Sequence, residues 1–370
     1  TDVAARILRE VHDKVRSTYN LDDEDVVQAV ITIPAYFTST QSDETKRAGE
    51  MAGMEVVRII TEPVAAAVSA AEDVEGKIFV VDLGGGTFDV SVLDIGEKYQ
   101  TLEIGGERRL GGDDFDDRVV QYLLKFIEGD LHINLSSLEA SGLDYDNYYL
   151  MMSKIRRGAI ELKEALSEED EYELIIPDLF EYGQDKKEYN FSFEMERDEF
   201  DELCRDLYER IIKVIDETVT KSKKFKKEEL KKVFLVGGSC YIPKIQNEVE
   251  RYFGIESDSS RDRATQVAMG AGKIADAWNG FVADKNHVDP FDVKLEDIIS
   301  HSMGVKIVGK NGENEYSEIL SEGTTYPCVH KGEYKTACDN QESVVIEVYE
   351  KTDSDASDFI ERNEDAYDFY

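Results

Sequence analysis

The sequence predicts a mixed α/β fold in which helices and strands alternate through about residue 280 and an all-β region follows. Three observations predict it. Apolar residues recur at helical spacing in some segments and as short β-prone runs in others, in alternation. The stretch Ile78 to Ile95 reads as strand, glycine turn, strand. From Ser302 onward no helical period is visible.

In chain order, Val3, Ile7, Leu8, Val11 and Val15 give Thr1 to Asn20 a helical stripe. Val26 to Phe37 reads as a strand stopped by Pro34, which lacks a donor. Thr38 to Ser42 is a polar cap for a helix over Asp43 to Ala52, ended by Gly53. Val56 to Ile60 is a short strand. Glu62-Pro63 opens an alanine-rich helix, Val64 to Ala71, with proline in the tolerated first turn. The glycine hairpin and a strand over Gln100 to Gly105 come next. A second glycine turn, Leu110-Gly-Gly-Asp-Asp-Phe-Asp116, feeds a helix over Phe115 to Phe126. Leu150 to Ser167 is helical, Tyr172 to Ile176 pairs with Tyr189 to Phe193, and Arg197 to Ser222 is one long amphipathic helix. Val233-Phe-Leu-Val-Gly-Gly-Ser239 is a buried strand running into glycines, followed by helices over Pro243 to Phe253 and Ala264 to Ala277. Asn279 to Asp289 is loop-like. Strands follow at Gly304 to Val308, Tyr316 to Leu320, Tyr334 to Ala337 and Ser343 to Tyr349, with turns at Lys310-Asn311-Gly312 and Asp339-Asn340. Thr352 to Tyr370 is acidic and poor in aliphatics, so it is expected to fray.

The hairpin carries the chemistry. Gly84, Gly85 and Gly86 remove three Cβ atoms in a row, which lets a ligand approach the backbone closely. Successive amides in such a concavity form an anion nest suited to phosphate. Asp82 and Asp89 flank the turn, and two carboxylates beside a phosphate imply a divalent cation, Mg²⁺, held through its water shell. Thr87 adds a hydroxyl at the lip. An ordinary β-hairpin can carry the same glycines; the two aspartates and the threonine move the reading toward a phosphate loop. The P-loop pattern G-x-x-x-x-G-K-[ST] is absent.

The chain has 370 residues, long for one core, so two or three domains are expected. Acidic residues number 80 and basic ones 43, a net charge of −37, which argues against duplex nucleic acid and anionic membranes as partners. Lys221 to Lys232 is basic, but glutamates interrupt it as on a solvated face. Cys204, Cys240, Cys328 and Cys338 are too scattered for a disulfide framework or zinc site and read as reduced thiols in a cytoplasmic protein. No run approaches ~20 apolar residues. No leader is visible, and because Thr1 is not an initiator methionine the chain reads as a fragment or a processed product.

Five motifs occur in order: Ile31-Thr-Ile-Pro-Ala-Tyr-Phe37, Thr61-Glu-Pro-Val-Ala-Ala-Ala67, Asp82-Leu-Gly-Gly-Gly-Thr-Phe-Asp89, Leu110-Gly-Gly-Asp-Asp-Phe-Asp116 and Leu235-Val-Gly-Gly-Ser239. Together they resemble the heat-shock protein 70 family, the DnaK-type chaperones. The resemblance implies an actin-like ATPase with ribonuclease-H-like lobes over residues 1–280, its first lobe incomplete. A linker over 281–301 and a partial β-sandwich peptide-binding domain over 302–370 would follow. It implies ATP/ADP and Mg²⁺ as cofactors. Gly84, Gly85, Gly86 and Thr87 match the second phosphate loop, Asp82 and Asp89 the aspartates that hold hydrated Mg²⁺, and Glu62 the glutamate near the attacking water. Gly111 and Gly112 match a further glycine turn at the site. Gly237, Gly238 and Ser239 match the adenosine loop, with Tyr241 and Ile242 just after it, and Lys163 and Ser167 match polar contacts to the nucleoside. Val305, Ile307, Tyr334, Ala337, Val344 and Ile346 fall where the family lines its peptide cleft, although apolar alternation also suits a plain sandwich core. Unfolded or extended polypeptides, J-domain co-chaperones and nucleotide exchange factors are the implied partners.

The departures are specific. The family's first phosphate loop and catalytic lysine have no counterpart here, which implies weak ATP binding by this chain. Ile160 and Glu164 replace a glutamate and a usually basic residue in the adenine pocket, Tyr241 replaces a stacking arginine, and Ala264 replaces an aspartate. The apolar linker becomes Asp292-Val-Lys-Leu-Glu-Asp297, and Lys294 and Glu296 resist burial unless paired. Interdomain coupling is therefore open at this level. So is a non-catalytic, exchange-factor-like role. A sugar kinase or filament protein shares the actin-like fold, but neither needs the β region after Gly304.

Overall fold

The structure is a computed structural model that describes residues 1–70, 74–183, 187–258, 262–283, 295–309, 312, 314–336, 342–352 and 367–369. Ala337, Cys338, Lys294, most of the expected linker and the Asp339-Asn340 turn lie outside the described residues. Helix α1 (Asp2–Tyr19) precedes β1 (Gln28–Ile33), α2 (Ser39–Met51), β2 (Glu55–Thr61) and α3 (Glu62–Ala70). Strands β1 and β2 pair in parallel, which requires the crossover helix α2. That helix starts where the polar cap predicts: the Thr38 hydroxyl accepts from the Gln41 amide, and the Gln41 side chain accepts from the Thr38 amide at 2.9 Å.

Strands β3 (Gly76–Leu83), β4 (Phe88–Ile95) and β5 (Tyr99–Glu107) form an antiparallel meander. Helices α4 (Gly112–Leu131), α5 (Leu138–Ser141) and α6 (Tyr145–Glu168) follow, then the hairpin β6 (Glu171–Tyr182) and β7 (Lys187–Glu196). The expected long helix after Arg197 divides at Cys204 into α7 (Arg197–Leu203) and α8 (Arg205–Lys221). The break allows Phe200 and Tyr208, one from each piece, to pack on Phe115 with ring centroids 6.3 and 5.5 Å away. Strand β8 (Leu230–Val236) then joins β3 in parallel, followed by α9 (Pro243–Phe253), β9 (Ser257–Asp258) and α10 (Gln266–Ala283). Helix α10 outlasts the loop expected from Asn279, because Phe281 and Val282 continue the apolar spacing.

Both faces of this central sheet are covered. Phe79, Val81, Leu83, Phe88, Val90 and Val92 face a large core with residues of α4, α6 and α8. Ile78, Val80, Leu93 and Ile95 face a second cluster with Val64, Ala66 and Ala67 of α3. Because strand side chains alternate, Asp82 and Asp89 fall in line with the α3 face. That alternation brings the N-terminus of α3, where Glu62 sits, to the two aspartates.

The segment read as linker contributes β10 (Leu295–Ile298), which runs parallel to β5 with Leu295 opposite Tyr99. Strands β11 (Ser302–Val308) and β12 (Asn314–Leu320) form a hairpin, in which the Gly312 amide donates to the Gly309 carbonyl at 3.0 Å. Strand β13 (Thr325–Tyr326) pairs with β10. Strands β14 (Val348–Lys351) and β15 (Tyr367–Phe369) complete a four-stranded antiparallel sheet, so the described end of the chain pairs rather than fraying throughout. The strand expected over Ser343 to Tyr349 shrinks to its end, since the ladder with β11 stops at Val305 opposite Val348. Residues 334–336 form no strand. Among the described residues β11, β12, β14 and β15 form this one sheet, and β10 and β13 belong to the central one.

Helices α3 and α10 cross closely: a Cβ at Gly270 would lie 1.8 Å from the Ala65 carbonyl oxygen. Gly270→Ala is expected to cost about 3 kcal/mol by prising α10 from α3. Urea unfolding reads this, and an unchanged midpoint would contradict the crossing.

Candidate functional site

Register builds the centre of the site. Asp82 stands directly opposite Asp89 across the β3–β4 ladder, so both carboxyls project from one buried face. Like charges so placed repel, and little water reaches them. Burial, then the charges of Asp82 and Asp89, pushes the Glu62 carboxyl up to about 8. Burial pushes Asp82 up to about 6. Burial and Asp82 push Asp89 up to about 7, against the lowering effect of the Thr87 hydroxyl, the Tyr36 amide and Arg108. Three crowded carboxyls, each with a raised proton affinity, form a donor set that a divalent cation would relieve. Among the described residues no three acidic, histidine or cysteine side chains are placed to ligate a metal directly. A hydrated ion held through water by Asp82 and Asp89 suits this spacing.

The glycine turn is open toward solvent. None of Gly84, Gly85 and Gly86 has a positive φ, and Cβ atoms at Gly85 and Gly86 would meet nothing within 4 Å. Neither backbone conformation nor packing within the protein therefore requires these two glycines. Close approach by a ligand remains as their physical reason. The Gly84 amide donates to the Thr87 carbonyl at 3.1 Å, whereas the Gly85 and Gly86 amides have no acceptor among the described residues. Thr87 turns its hydroxyl to Asp89.

Two further loops close on the turn. The Gly112 amide donates to Gly84 O at 3.0 Å and the Asp113 amide to Gly85 O at 2.7 Å. A Cβ at Gly111 would lie 2.4 Å from Gly85 O, so only glycine fits there. Because β8 runs beside β3, Gly237 passes Leu83 so closely that its Cβ would sit 2.3 Å from Leu83 O, and its φ of 87° also favours glycine. Ser239 Oγ donates to Gly84 O at 2.9 Å and ties this loop to the phosphate turn. Gly238 is exposed in open space. Tyr241 is 45% exposed.

The remaining expected site residues have further partners, and Lys163 Nζ also lies 3.5 Å from Gly112 O at the second glycine loop. Lys163 Nζ pairs with Asp116 Oδ1 at 2.7 Å, both largely buried, and so braces α6 against α4. Ser167 Oγ donates to the Lys163 carbonyl at 3.0 Å, within its own helix. Ile242 is core, 3% exposed. Val305 and Ile307 share one face of β11 and are half-buried. Tyr334, Val344 and Ile346 lie outside strands and are exposed.

The structure also adds residues that sequence reasoning missed. A cavity of about 160 Å³ beside Thr87 and Asp89 is lined by Tyr36, Arg108, Glu107, Gln41, Pro34 and Phe37. Tyr36 lies inside the quoted Ile-Pro-Ala-Tyr-Phe motif, which was the available signal; Arg108 had none. A larger cavity of about 680 Å³ between α8 and α9 contains no predicted site residue.

A layered α/β sheet that carries facing aspartates at an open glycine turn, with two glycine loops closing on it, fits an actin-like ATPase. The family model described as Hsp70 protein matches residues 1–361. A chaperone protein dnaK from Guillardia theta is 36% identical over 350 residues, which cover 94% of this chain and 51% of that protein. The chain spans about half the length of this curated relative. It belongs to the Hsp70 family.

Asp89 holds its proton more tightly in the folded protein, at about 7, than an unperturbed aspartic acid does, at 3.8. Its contribution is therefore intact below pH ~4 and is lost as pH rises toward ~7. Without nucleotide, Asp89→Asn should be more stable than the parent at pH 8, on the order of 2 kcal/mol, and no more stable at pH 4. Urea unfolding at both pH values checks this; an equal difference at the two would contradict the burial argument.

Proposed function

We propose that the protein is an ATP-driven chaperone in which hydrolysis at the glycine turn governs capture and release of extended polypeptide. The observation that carries this is the buried pair Asp82 and Asp89, with the half-buried Glu62 within electrostatic reach, beside an open glycine turn. Asp82 and Asp89 would hold hydrated Mg²⁺, which when bound supplies charge neutralisation at the phosphates. The amides of Gly85 and Gly86 would donate to phosphate oxygens. Thr87 would orient at the terminal phosphate, and Glu62, ionised once the cation is bound, would align the attacking water by accepting a hydrogen bond from it. Gly237, Gly238, Ser239 and Tyr241 would seat the nucleoside. Gly111 and Gly112 shape the turn from behind.

Coupling to the β region has physical support. Glu296, which needed a partner, is paired with Lys98 beside the β5–β10 ladder. Glu350 of β14 accepts the Ser39 amide at 2.8 Å at the N-terminus of α2. His301 lies between Arg108 Nη2 at 3.1 Å and Glu350 Oε1 at 3.3 Å. A guanidinium can only donate, so His301 Nε2 accepts and its proton sits on Nδ1, toward Glu350 and Ser300. Arg108 in turn lines the cavity beside Asp89. In this reading residues 302–370 belong to a β-sandwich substrate domain, the exposed run Val344 to Ile346 borders its peptide site with Val305 and Ile307, and J-domain proteins and exchange factors act on the nucleotide cycle. The free thiols of Cys204, Cys240 and Cys328 suit a reducing, cytoplasmic setting.

Single-turnover hydrolysis of Mg–ATP by the intact protein tests the first half, with Asp82→Asn expected to be about 100-fold slower. Equal rates would contradict the site. Release of a labelled apolar peptide should quicken on ATP addition; hydrolysis with unaltered release would leave an ATPase but no coupled chaperone.

A further inference from the structure

Arg263 is an anomaly in charge. It is 8% exposed, yet its guanidinium donates to neutral acceptors, the Cys240 carbonyl and Gln246 Oε1, the latter at 2.6 Å. The nearby carboxylate of Glu250 accepts from Ser257 and Gln246 and feels the Arg263 charge at a distance. With no carboxylate in direct contact among the described residues, a charge taken out of water has further compensation to find. The ring of Tyr241 supplies it: Arg263 Cζ lies 5.5 Å from the ring centroid.

The same residue also fixes the loop. The Arg263 carbonyl accepts the Gly237 amide at 3.1 Å, so side chain and backbone grip both ends of Gly237 to Tyr241. On the other side Tyr241 donates its hydroxyl to Asp262 Oδ1 at 3.2 Å, and that oxygen also accepts the Ala264 and Thr265 amides at 2.8 and 3.1 Å. The ring is thus held at its edge by Asp262 and backed on one side by Arg263. Its remaining surface contributes to the 45% exposure.

We propose that Arg263 is the positioning residue of a base-stacking platform: its guanidinium backs the Tyr241 ring so that a purine stacks on the ring's outer face. This rests on the reading that Gly237 to Tyr241 seats the nucleoside. A cation behind the ring draws electron density away from its outer face. That face then favours an electron-rich, extended purine over a smaller pyrimidine. The pair replaces a direct arginine–base stack with an arginine–tyrosine–base stack, and specificity would lie in ring area and electron richness.

Calorimetric titration of the intact protein with ADP and with CDP tests this. Arg263→Met keeps the stem and removes the charge. It should weaken ADP binding about fivefold and lower the ADP/CDP preference by the same factor. Tyr241→Ala should also erase the preference, and the double variant should be no weaker than Tyr241→Ala alone, because Arg263 acts through the ring. Thermal unfolding of each variant identifies any that fail to fold, and Arg263→Gln then substitutes for Arg263→Met. Unchanged ADP affinity, an equal loss for ADP and CDP, or penalties that multiply in the double variant would overturn the proposal. A parent protein that binds neither nucleotide would instead overturn the reading of the whole site.

Discussion

Two carboxyls placed face to face across a buried antiparallel ladder are costly to hold. Asp82 and Asp89 occupy such a pair at the centre of the main sheet. A hydrophobic pair would pack there without repulsion, since the face continues as Ile78, Val80, Leu93 and Ile95, with Ser91 the other polar residue. Much of the surrounding structure bears on this one constraint. The α3 helix starts with Glu62 within electrostatic reach of both, Thr87 and the Tyr36 amide donate to Asp89, and Arg108 offers a positive charge nearby. These contacts moderate the repulsion without cancelling it, because all three carboxyls still bind protons more tightly than free ones do. A bound divalent ion is the simplest remaining source of compensation.

The glycines divide by physical cause. Gly111, Gly112 and Gly237 are required by close passage of one loop past another, since a Cβ at any of them would collide with atoms of the chain or of Ser239. Gly85 and Gly86 collide with nothing. The first group builds the site and the second leaves room in it. Substitution at either group would damage function, but only the first should disturb the fold itself.

Local patterns made much of this legible. The hairpin, the alternating apolar residues of β3 and β4 and the proline-started α3 follow from spacing and turn chemistry alone, and the motif order named the family. What stayed hidden depended on long-range contact. The break at Cys204 serves two rings that reach Phe115. Strand β10 exists because β5 offers an open edge, and Leu295 to Ile298 gives little strand signal in isolation. Lys163, matched by resemblance to a nucleoside contact, also pairs with Asp116, and no local pattern signals that pairing. The apolar residues from Val344 to Ile346 have strand propensity but no neighbouring ladder among the described residues, and propensity without a partner did not produce a strand.

In the proposed function the carboxyl pair meets a cation and phosphate at the glycine turn. Proton exchange on binding tests that most directly. Titration of Mg–nucleotide into the intact protein at pH 7, repeated in buffers of different ionisation enthalpy, counts the protons released. With Asp89 at about 7 and Glu62 at about 8 before binding, release of about one proton is expected, and Asp89→Asn should diminish it. Binding with no proton release, or release indifferent to that substitution, would show that nucleotide and metal sit somewhere other than this turn.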